Sequence, residues 1–190
     1  MIQRWATPIF KIRHAAHNSH ILLHLRQLEY KPKAWCRIME AENRLPLPAE
    51  ALIPHRKPMC IIDRLIDTTA QGGTAETGVA SDNVMVDENG QLEPTAIAEM
   101  IAQTYAAVKG YNDRLSGEPV KQGFLVGIRK IQFFKLVFIG DILRINVDTV
   151  GAISGFAVVK GQVTRNQEVI AEGEIKLWIQ SENLLEPGSK

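Results

Sequence analysis

The sequence predicts an α+β protein in which an antiparallel β-sheet packs against a single long helix. Three observations predict this class. Two short strands joined by a turn occupy residues 59–80, one alanine-rich helix follows at 95–109, and the last third of the chain alternates apolar and polar residues as strands do. The length of 190 residues suits one domain with an appendage.

Residues 1–44 are expected to be a basic extension outside the domain. Residues 1–45 hold eight Lys or Arg and three acids, a net charge of +5, whereas the remainder carries −4. The extension contains four of the five histidines, at positions 14, 17, 20 and 24, but no carboxylate precedes Glu29 to complete a site, so no metal is predicted. A targeting peptide, a poorly ordered extension and a native start at Met39 remain open alternatives.

The composition excludes several classes of protein. Hydrophobic residues at 45% and charged residues at 23% are typical of a globular chain, and no apolar run approaches the roughly 18 residues of a membrane span. Cys36 and Cys60 are too few for a disulfide framework or a four-thiolate metal site. A mildly acidic domain has no broad electrostatic attraction to nucleic acid. A reduced, cytoplasmic protein is therefore expected.

The first predicted element is a β-hairpin. Three prolines, at positions 46, 48 and 54, mark an extended or turning approach to it. Residues 59–65 form an apolar run with strand character, the Gln-Gly-Gly sequence at 71–73 indicates a turn, and residues 74–80 form the second strand.

The predicted helix holds the first candidate for chemistry. Pro94 suits the first helical position, the helix spans 95–109, and Gly110 is expected to cap it. Glu99 lies within this apolar helix, with Gln103 one turn later on the same face. A carboxylate there must be paired, reach solvent or bind its proton more tightly, and the last option suits an acid or base. The alternative is that Glu99 faces water at a sheet edge or merely hydrogen-bonds Gln103.

The remaining elements are antiparallel strands. A long strand is predicted at 123–138, and three further strands follow in sequence at 141–150, 155–164 and 169–179, with a turn at 165–167 between the last two. The domain is therefore expected to span residues 45–181, and residues 182–190 to form a C-terminal tail.

Three motifs together resemble those of 3-hydroxyacyl-acyl-carrier-protein dehydratases of the FabZ type. Residues 53–59 read Ile-Pro-His-Arg-Lys-Pro-Met before Ile-Ile-Asp-Arg at 61–64, and residues 99–103 read Glu-Met-Ile-Ala-Gln where that family has Glu-Ala-Met-Ala-Gln. The third is Gly-Ile at 127–128 with Gln-Phe at 132–133 and Gly-Asp at 140–141. The resemblance covers about residues 45–179 and implies a hotdog fold, in which an antiparallel sheet wraps around one long central helix.

The sequence departs from this family at its catalytic histidine. The family places that residue in a Gly-His-Phe-Pro-Gly motif before the helix, and Met85 stands at the corresponding position here. The local sequence Asp-Glu-Asn-Gly at 87–90 is more similar to the dehydratase-like subgroup associated with aryl-polyene synthesis. The family's glutamate therefore carries over to Glu99, but its histidine does not.

The resemblance implies dehydration of a 3-hydroxyacyl thioester to a trans-2-enoyl thioester, without a cofactor of the protein's own. The acyl group would be carried on the phosphopantetheine of an acyl carrier protein or on coenzyme A. Catalysis would fall to Glu99. His55, the one histidine outside the extension, is a second candidate because imidazole is a common acid–base group, and Asp87 or Glu88 are weaker ones. FabZ-type proteins have this Pro-His-Arg motif in addition to their catalytic histidine, so a structural role of His55 before the first strand is the alternative. N–H groups at the start of the helix are expected to bind the thioester oxygen. The expected substrate contacts are Met85, Thr95, Gln103 and Gly127.

Basic residues between positions 109 and 135 are expected to dock an acidic carrier protein. The predicted docking residues are Lys109, Arg129, Lys130 and Lys135, with Arg114 and Lys121 nearby in sequence. A homodimer is expected, and a heterodimer with a second hotdog subunit or a higher oligomer are alternatives. Two other functions stay open: a non-catalytic hotdog subunit that binds an acyl chain or supports an active partner, and a hotdog acyl thioesterase.

Overall fold

The computed structural model describes residues 43–180. The predicted tail, the histidine cluster and all of the predicted extension except Asn43 and Arg44 lie outside the described residues, so the predictions for them stay predictions. Within residues 43–180, no helix is long and apolar enough to cross a membrane.

The described unit contains one antiparallel sheet and one long helix. The helix, α1, spans Ala96–Ser116, and a short 3₁₀ helix spans Ala49–Ala51. The strands are β1 (Leu47–Pro48), β2 (Arg64–Thr68), β3 (Gly72–Gly78), β4 (Gly123–Phe133), β5 (Ile142–Ile153), β6 (Phe156–Arg165) and β7 (Glu168–Ile179). They lie in the order β1-β2-β3-β5-β6-β7-β4, with β4 at one edge. The predicted α+β class is confirmed.

Strand alternation sets the face on which the core forms. In β5, Leu143, Ile145 and Val147 have no exposed surface, while the residues between them are exposed. Successive side chains of a strand point to opposite faces, so this face packs on α1 and the other meets solvent.

The first predicted strand begins later than expected. The apolar run at 59–65 is not a strand before Arg64, although Cys60, Ile61 and Ile62 are buried. The Ile61 N–H donates to the side chain of Gln103 rather than to a neighbouring strand. Residues 60–62 are apolar because they lie in the core. The hydrogen bonds that a neighbouring strand would have made to this segment are made in part by the side chain of Gln103.

The helix also extends further than expected, because Gly110 does not end it. The helix continues to Ser116, and the residue that caps it is Gly117, which has a φ of 70°. A Cβ at position 110 would lie 1.9 Å from the carbonyl oxygen of Leu52. Gly110 therefore allows α1 to approach the backbone near the 3₁₀ helix, which is a second reason for glycine that sequence alone does not distinguish from capping.

A pair of glycines seats α1 on the sheet. Gly161 of β6 and Gly173 of β7 are paired in register, and the side chain of Ile101 lies over both of them. A Cβ added at Gly161 would lie 2.5 Å from Cγ1 of Ile101. Because these glycines have no side chains, they leave a hollow in the sheet surface into which Ile101 packs. This contact fixes the distance of the helix from the sheet, and with it the position of Glu99 two residues earlier.

We expect Gly161→Ala to lower the free energy of unfolding by about 1–3 kcal/mol, because the added methyl group overpacks the hollow. Urea denaturation measures the change. Gly151→Ala in β5 is the matched control, since a Cβ there has open space and should cost less than about 0.5 kcal/mol. In an Ile101→Ala background the Gly161→Ala cost should shrink or reverse; an unchanged cost would show that Ile101 does not fill the hollow.

Candidate active site

An open cleft of about 180 Å³ runs along one side of α1, between the helix and strands β4 and β7. Its helical wall is formed by positions three or four residues apart, which lie on one helix face: Glu99, Ala102, Gln103, Ala106 and Lys109. The sheet wall includes Leu125, Leu177 and Ile179. The cleft therefore combines apolar walls with a carboxylate toward one end and an ammonium group toward the other.

Glu99 lies in the first turn of α1, at the end of the cleft that His55 also lines. Its Oε1 is 3.8 Å from Nε2 of His55, and 31% of the Glu99 side chain is exposed. The predicted carboxylate on an apolar helix is present, but it is half-buried beside an open cleft instead of being enclosed. Solvent and a small ligand can both reach it.

Gln103 ties Glu99 to the segment that follows His55. The Gln103 side chain is buried, and its Oε1 accepts a hydrogen bond of 3.0 Å from the Ile61 N–H. Its Nε2 donates to the carbonyl of Met59 and to Oε1 of Glu99, both at 2.8 Å. The predicted contact of Gln103 with substrate would have to replace one of these hydrogen bonds. Gln103 lines the cleft, so its contact with substrate stays a prediction, and its hydrogen bond to Oε1 orients Glu99.

His55 is the sole histidine in the described part of the chain, and the fold brings it to Glu99 across 44 positions of sequence. It lies in the turn before β2, where Nη1 of Arg56 donates to the carbonyls of Ile53 and His55. Its Nδ1 is buried without a hydrogen-bond partner among the described residues. The imidazole thus presents Nε2 toward the carboxylate, at a distance too long for a direct hydrogen bond.

Three predicted substrate contacts do not border this cleft. Met85 packs at the margin of the hydrophobic core, Thr95 is the N-cap residue of α1 without a side-chain capping bond, and Gly127 lies in β4. None of the three is among the residues that line the cleft beside Glu99, so their contact with substrate stays a prediction.

The expected donors at the start of the helix are also occupied. The N–H groups of Ala96, Ile97 and Ala98 donate to carbonyls three residues earlier, in tightened turns. These N–H groups therefore have backbone acceptors in this structure, and the expectation that they bind a thioester oxygen stays a prediction. The weaker candidate Asp87 closes a loop, with its Oδ1 accepting from the N–H groups of Asn89 and Gln91.

The predicted carrier-docking residues do not form one patch. Lys109 borders the cleft near the first residue of β4, whereas Lys135 lies beyond the last residue of that strand, whose two ends are roughly 33 Å apart at the usual rise per residue. Lys135 pairs with Glu168 at 3.3 Å, and Arg129 pairs with Glu174. Only Lys109 of the four predicted residues lines the cleft, and Lys121 joins it there.

Two residues in or beside the cleft, Tyr105 and Asp113, were not predicted as site residues. Tyr105 borders it, and burial raises the pKa of the Tyr105 phenol, so its hydroxyl stays neutral. Asp113 is buried beside Lys109 and Lys121, and only the four-residue spacing between Lys109 and Asp113 was visible in the sequence. Among residues 43–180, no three His, Cys, Asp or Glu side chains are grouped to hold a metal ion.

An antiparallel sheet packed on one long helix, with a helix carboxylate facing a cleft, defines a hotdog-fold protein with a candidate acid–base site. Within that class, the chain belongs to the ApeP-like family, because the model of that family, described as ApeP dehydratase, matches residues 47–186. The predicted resemblance to FabZ-type dehydratases, the hotdog fold and a dehydratase-like function are thereby confirmed.

Individual proteins agree with this assignment. The chain is 32% identical over 137 residues to the 3-hydroxyacyl-[acyl-carrier-protein] dehydratase FabZ of Clostridium tetani, covering 67% of this chain and 92% of that protein. It is 29% identical over 133 residues to the FabZ of Caldicellulosiruptor bescii, covering 65% of this chain and 90% of that protein. The dehydratase heterocomplex ApeI:P from Xenorhabdus doucetiae has a similar fold, with a TM-score of 0.67 at 20% identity over 72% of this chain and 93% of that chain.

We expect Gln103→Leu to lower the free energy of unfolding by about 2–4 kcal/mol, because it leaves the buried N–H of Ile61 and carbonyl of Met59 unpaired. Denaturant midpoints measure the effect. Gln162→Leu is the matched control: it also removes an amide that donates to a carboxylate, that of Glu172, but between side chains that solvent reaches. Equal costs for the two substitutions would contradict the positioning role of Gln103.

Proposed function

We propose that this chain dehydrates 3-hydroxyacyl thioesters to trans-2-enoyl thioesters in fatty-acid or polyene-type synthesis, acting on acyl groups attached to an acyl carrier protein. The observation that carries the proposal is the approach of His55 to Glu99, with 3.8 Å between Nε2 and Oε1, beside an apolar cleft. Family membership and the FabZ relatives support the type of reaction.

The elimination needs two proton transfers, and the site offers two groups for them. One group takes the proton from C2 of the substrate while the other delivers a proton to the hydroxyl that leaves C3. The C2–H and C3–O bonds break, the C2–C3 double bond forms and water departs, so no oxidant or reductant is needed. Glu99 and His55 lie close enough to reach adjacent carbons of one acyl chain.

The orientation of Glu99 depends on Gln103. Because Nε2 of Gln103 donates to Oε1, that oxygen is held in place toward His55. A fixed carboxylate loses little conformational entropy when the substrate binds, which is how preorganised groups accelerate proton transfer.

We further propose that β4 is the strand through which two hotdog subunits pair. Strand β4 ends the sheet, and its outer edge has no partner strand among residues 43–180. Phe124, Val126 and Ile128 of this strand are each about half exposed. The opposite edge is β1, a two-residue strand that contains Pro48 and cannot template a long pairing. A second subunit on β4 would cover these apolar side chains and close the open cleft.

A non-catalytic subunit is the second candidate function. Met85 stands where the resembling family has its histidine, and it does not border the cleft that holds Glu99. The similar fold solved from Xenorhabdus doucetiae is a heterocomplex. If this second function holds, the purified chain is inactive alone, copurifies with another hotdog protein and restores activity to it. Release of free thiol from the same substrates would instead indicate hydrolysis.

We expect Glu99→Gln to lower kcat for hydration of a trans-2-enoyl thioester by at least about 100-fold, because removal of an acid–base group typically costs that much. Loss of absorbance of the conjugated thioester follows the reaction. His55→Gln should give a loss of similar order. Glu93→Gln, a control for the loss of a carboxylate just before α1, should keep near-normal activity; unchanged turnover in Glu99→Gln would remove Glu99 from the mechanism.

We expect Ile128→Lys to shift the purified chain from an oligomer to a monomer, since a charge on the pairing strand opposes burial of that strand. Light scattering coupled to size-exclusion chromatography measures the mass. Val150→Lys, at an exposed apolar position of β5, is the control and should leave the mass unchanged. An oligomer of normal mass in Ile128→Lys would place the interface elsewhere.

A further inference from the structure

We propose that Lys109 and Lys121 bind the phosphate of the phosphopantetheine arm, so that the arm lies along the cleft beside α1 with its thioester at Glu99. This inference rests on the proposed function, because it assumes that the ligand of the cleft is an acyl thioester. It adds the direction in which the ligand lies and the residues that hold its charged end.

The two ammonium groups converge at one end of the cleft. Nζ of Lys109 lies 3.8 Å from Oδ1 of Asp113, and Nζ of Lys121 lies 3.9 Å from the same oxygen. The two nitrogens are therefore less than 8 Å apart, a separation that one phosphate can bridge with a charge-assisted hydrogen bond of about 2.8 Å on each side. Both lysines border the cleft.

Asp113 explains why two like charges stay together there. Its carboxylate is buried, and Oδ2 has no hydrogen-bond partner among the described residues. A desolvated carboxylate attracts nearby cations more strongly than an exposed one does. The distances of 3.8 and 3.9 Å exceed those of hydrogen bonds, so Asp113 holds the ammonium groups at the mouth by charge rather than by direct hydrogen bonds.

The length of the cleft matches the length of the arm. Glu99 and Lys109 are ten residues apart on one helix, which places their backbones about 15 Å apart along the axis. Phosphopantetheine has about 13 bonds between phosphorus and sulfur, and an extended chain of that many bonds spans about 15 Å. A phosphate at the lysines therefore places the thioester near Glu99 and His55.

The wall between the two ends leaves room for the arm. Ala102 and Ala106, each with only a methyl side chain, line the cleft between Glu99 and Lys109, beside the buried side chains of Gln103 and Tyr105. Gly123, which adds no side chain, lies beside the lysines at the start of β4. A slender ligand with one charged end fits this shape, and the side-chain-free position at Gly123 lies at the end where the dimethyl carbon of phosphopantetheine would be.

An acidic side chain competes with the phosphate. Glu118 accepts a hydrogen bond of 2.7 Å from Nζ of Lys121, and this bond holds the pKa of Glu118 below its usual value. The Glu118 side chain is half exposed, and exposed ion pairs contribute little to stability. A phosphate that contacts both lysines can therefore displace Glu118 from Lys121.

The test compares two small substrates that differ by the phosphate alone. The full-length chain hydrates the trans-2-enoyl thioester of 4′-phosphopantetheine and that of pantetheine. We expect the phosphorylated substrate to have a KM about tenfold lower, since charge-assisted hydrogen bonds of this kind are worth that factor. The Lys109→Gln/Lys121→Gln double variant should lose this preference while keeping kcat, and Lys160→Gln, on an exposed position of β6, should retain it.

A binding measurement separates this inference from the proposed reaction. Calorimetry with thioether analogues, which cannot be dehydrated or hydrolysed, compares affinity with and without the phosphate. Tighter binding of the phosphorylated thioether that depends on the two lysines, without any turnover, would support the phosphate site and overturn the proposed catalysis. Turnover with equal KM values, or a preference that survives in the double variant, would overturn the phosphate site and leave the catalysis in place.

Discussion

The hydrogen bonds of the buried Gln103 amide are the constraint on which the candidate site depends. One side chain on α1 satisfies the Ile61 N–H and the Met59 carbonyl, and with its remaining hydrogen bond orients Glu99. The backbone groups of Ile61 and Met59, which have no partner in a neighbouring strand, therefore hold the segment after His55 against the helix. Because a buried amide left unpaired is costly, the positions of His55 and Glu99 are coupled to the stability of the domain.

Different parts of the helix α1 contribute different chemical groups to the cleft. Its first turn presents the carboxylate, its middle presents alanines, and Lys109 presents an ammonium group three turns from Glu99. The glycine pair under Ile101 sets the height of this helix above the sheet, and Gly110 sets how closely it approaches the backbone of Leu52. A shift of the helix would therefore displace the acid–base end and the cationic end of the cleft together.

The departure at Met85 gives the site a different construction from the one that the FabZ resemblance implies. The only described histidine near Glu99 comes from the turn before β2 of the same chain, not from the loop before the helix. Strand β4 forms part of the cleft wall and the edge of the sheet, and its exposed apolar side chains have no cover among residues 43–180. A second subunit there would complete the wall of the cleft, whichever of the two subunits performs the chemistry.

The fold class, the strand alternation of β5 to β7, and the placement of Glu99 and Gln103 on one helix face were determined by the sequence itself, because each is a local periodicity. The tertiary structure decided the rest. It brought His55 to Glu99 and Lys121 to Lys109, assigned Gly110 to close packing rather than capping, and dispersed the cations of β4. These outcomes depend on contacts between residues that are distant in the chain. The geometry of those contacts is set by how the helix packs on the sheet, and the spacing of residues in the sequence does not reveal it.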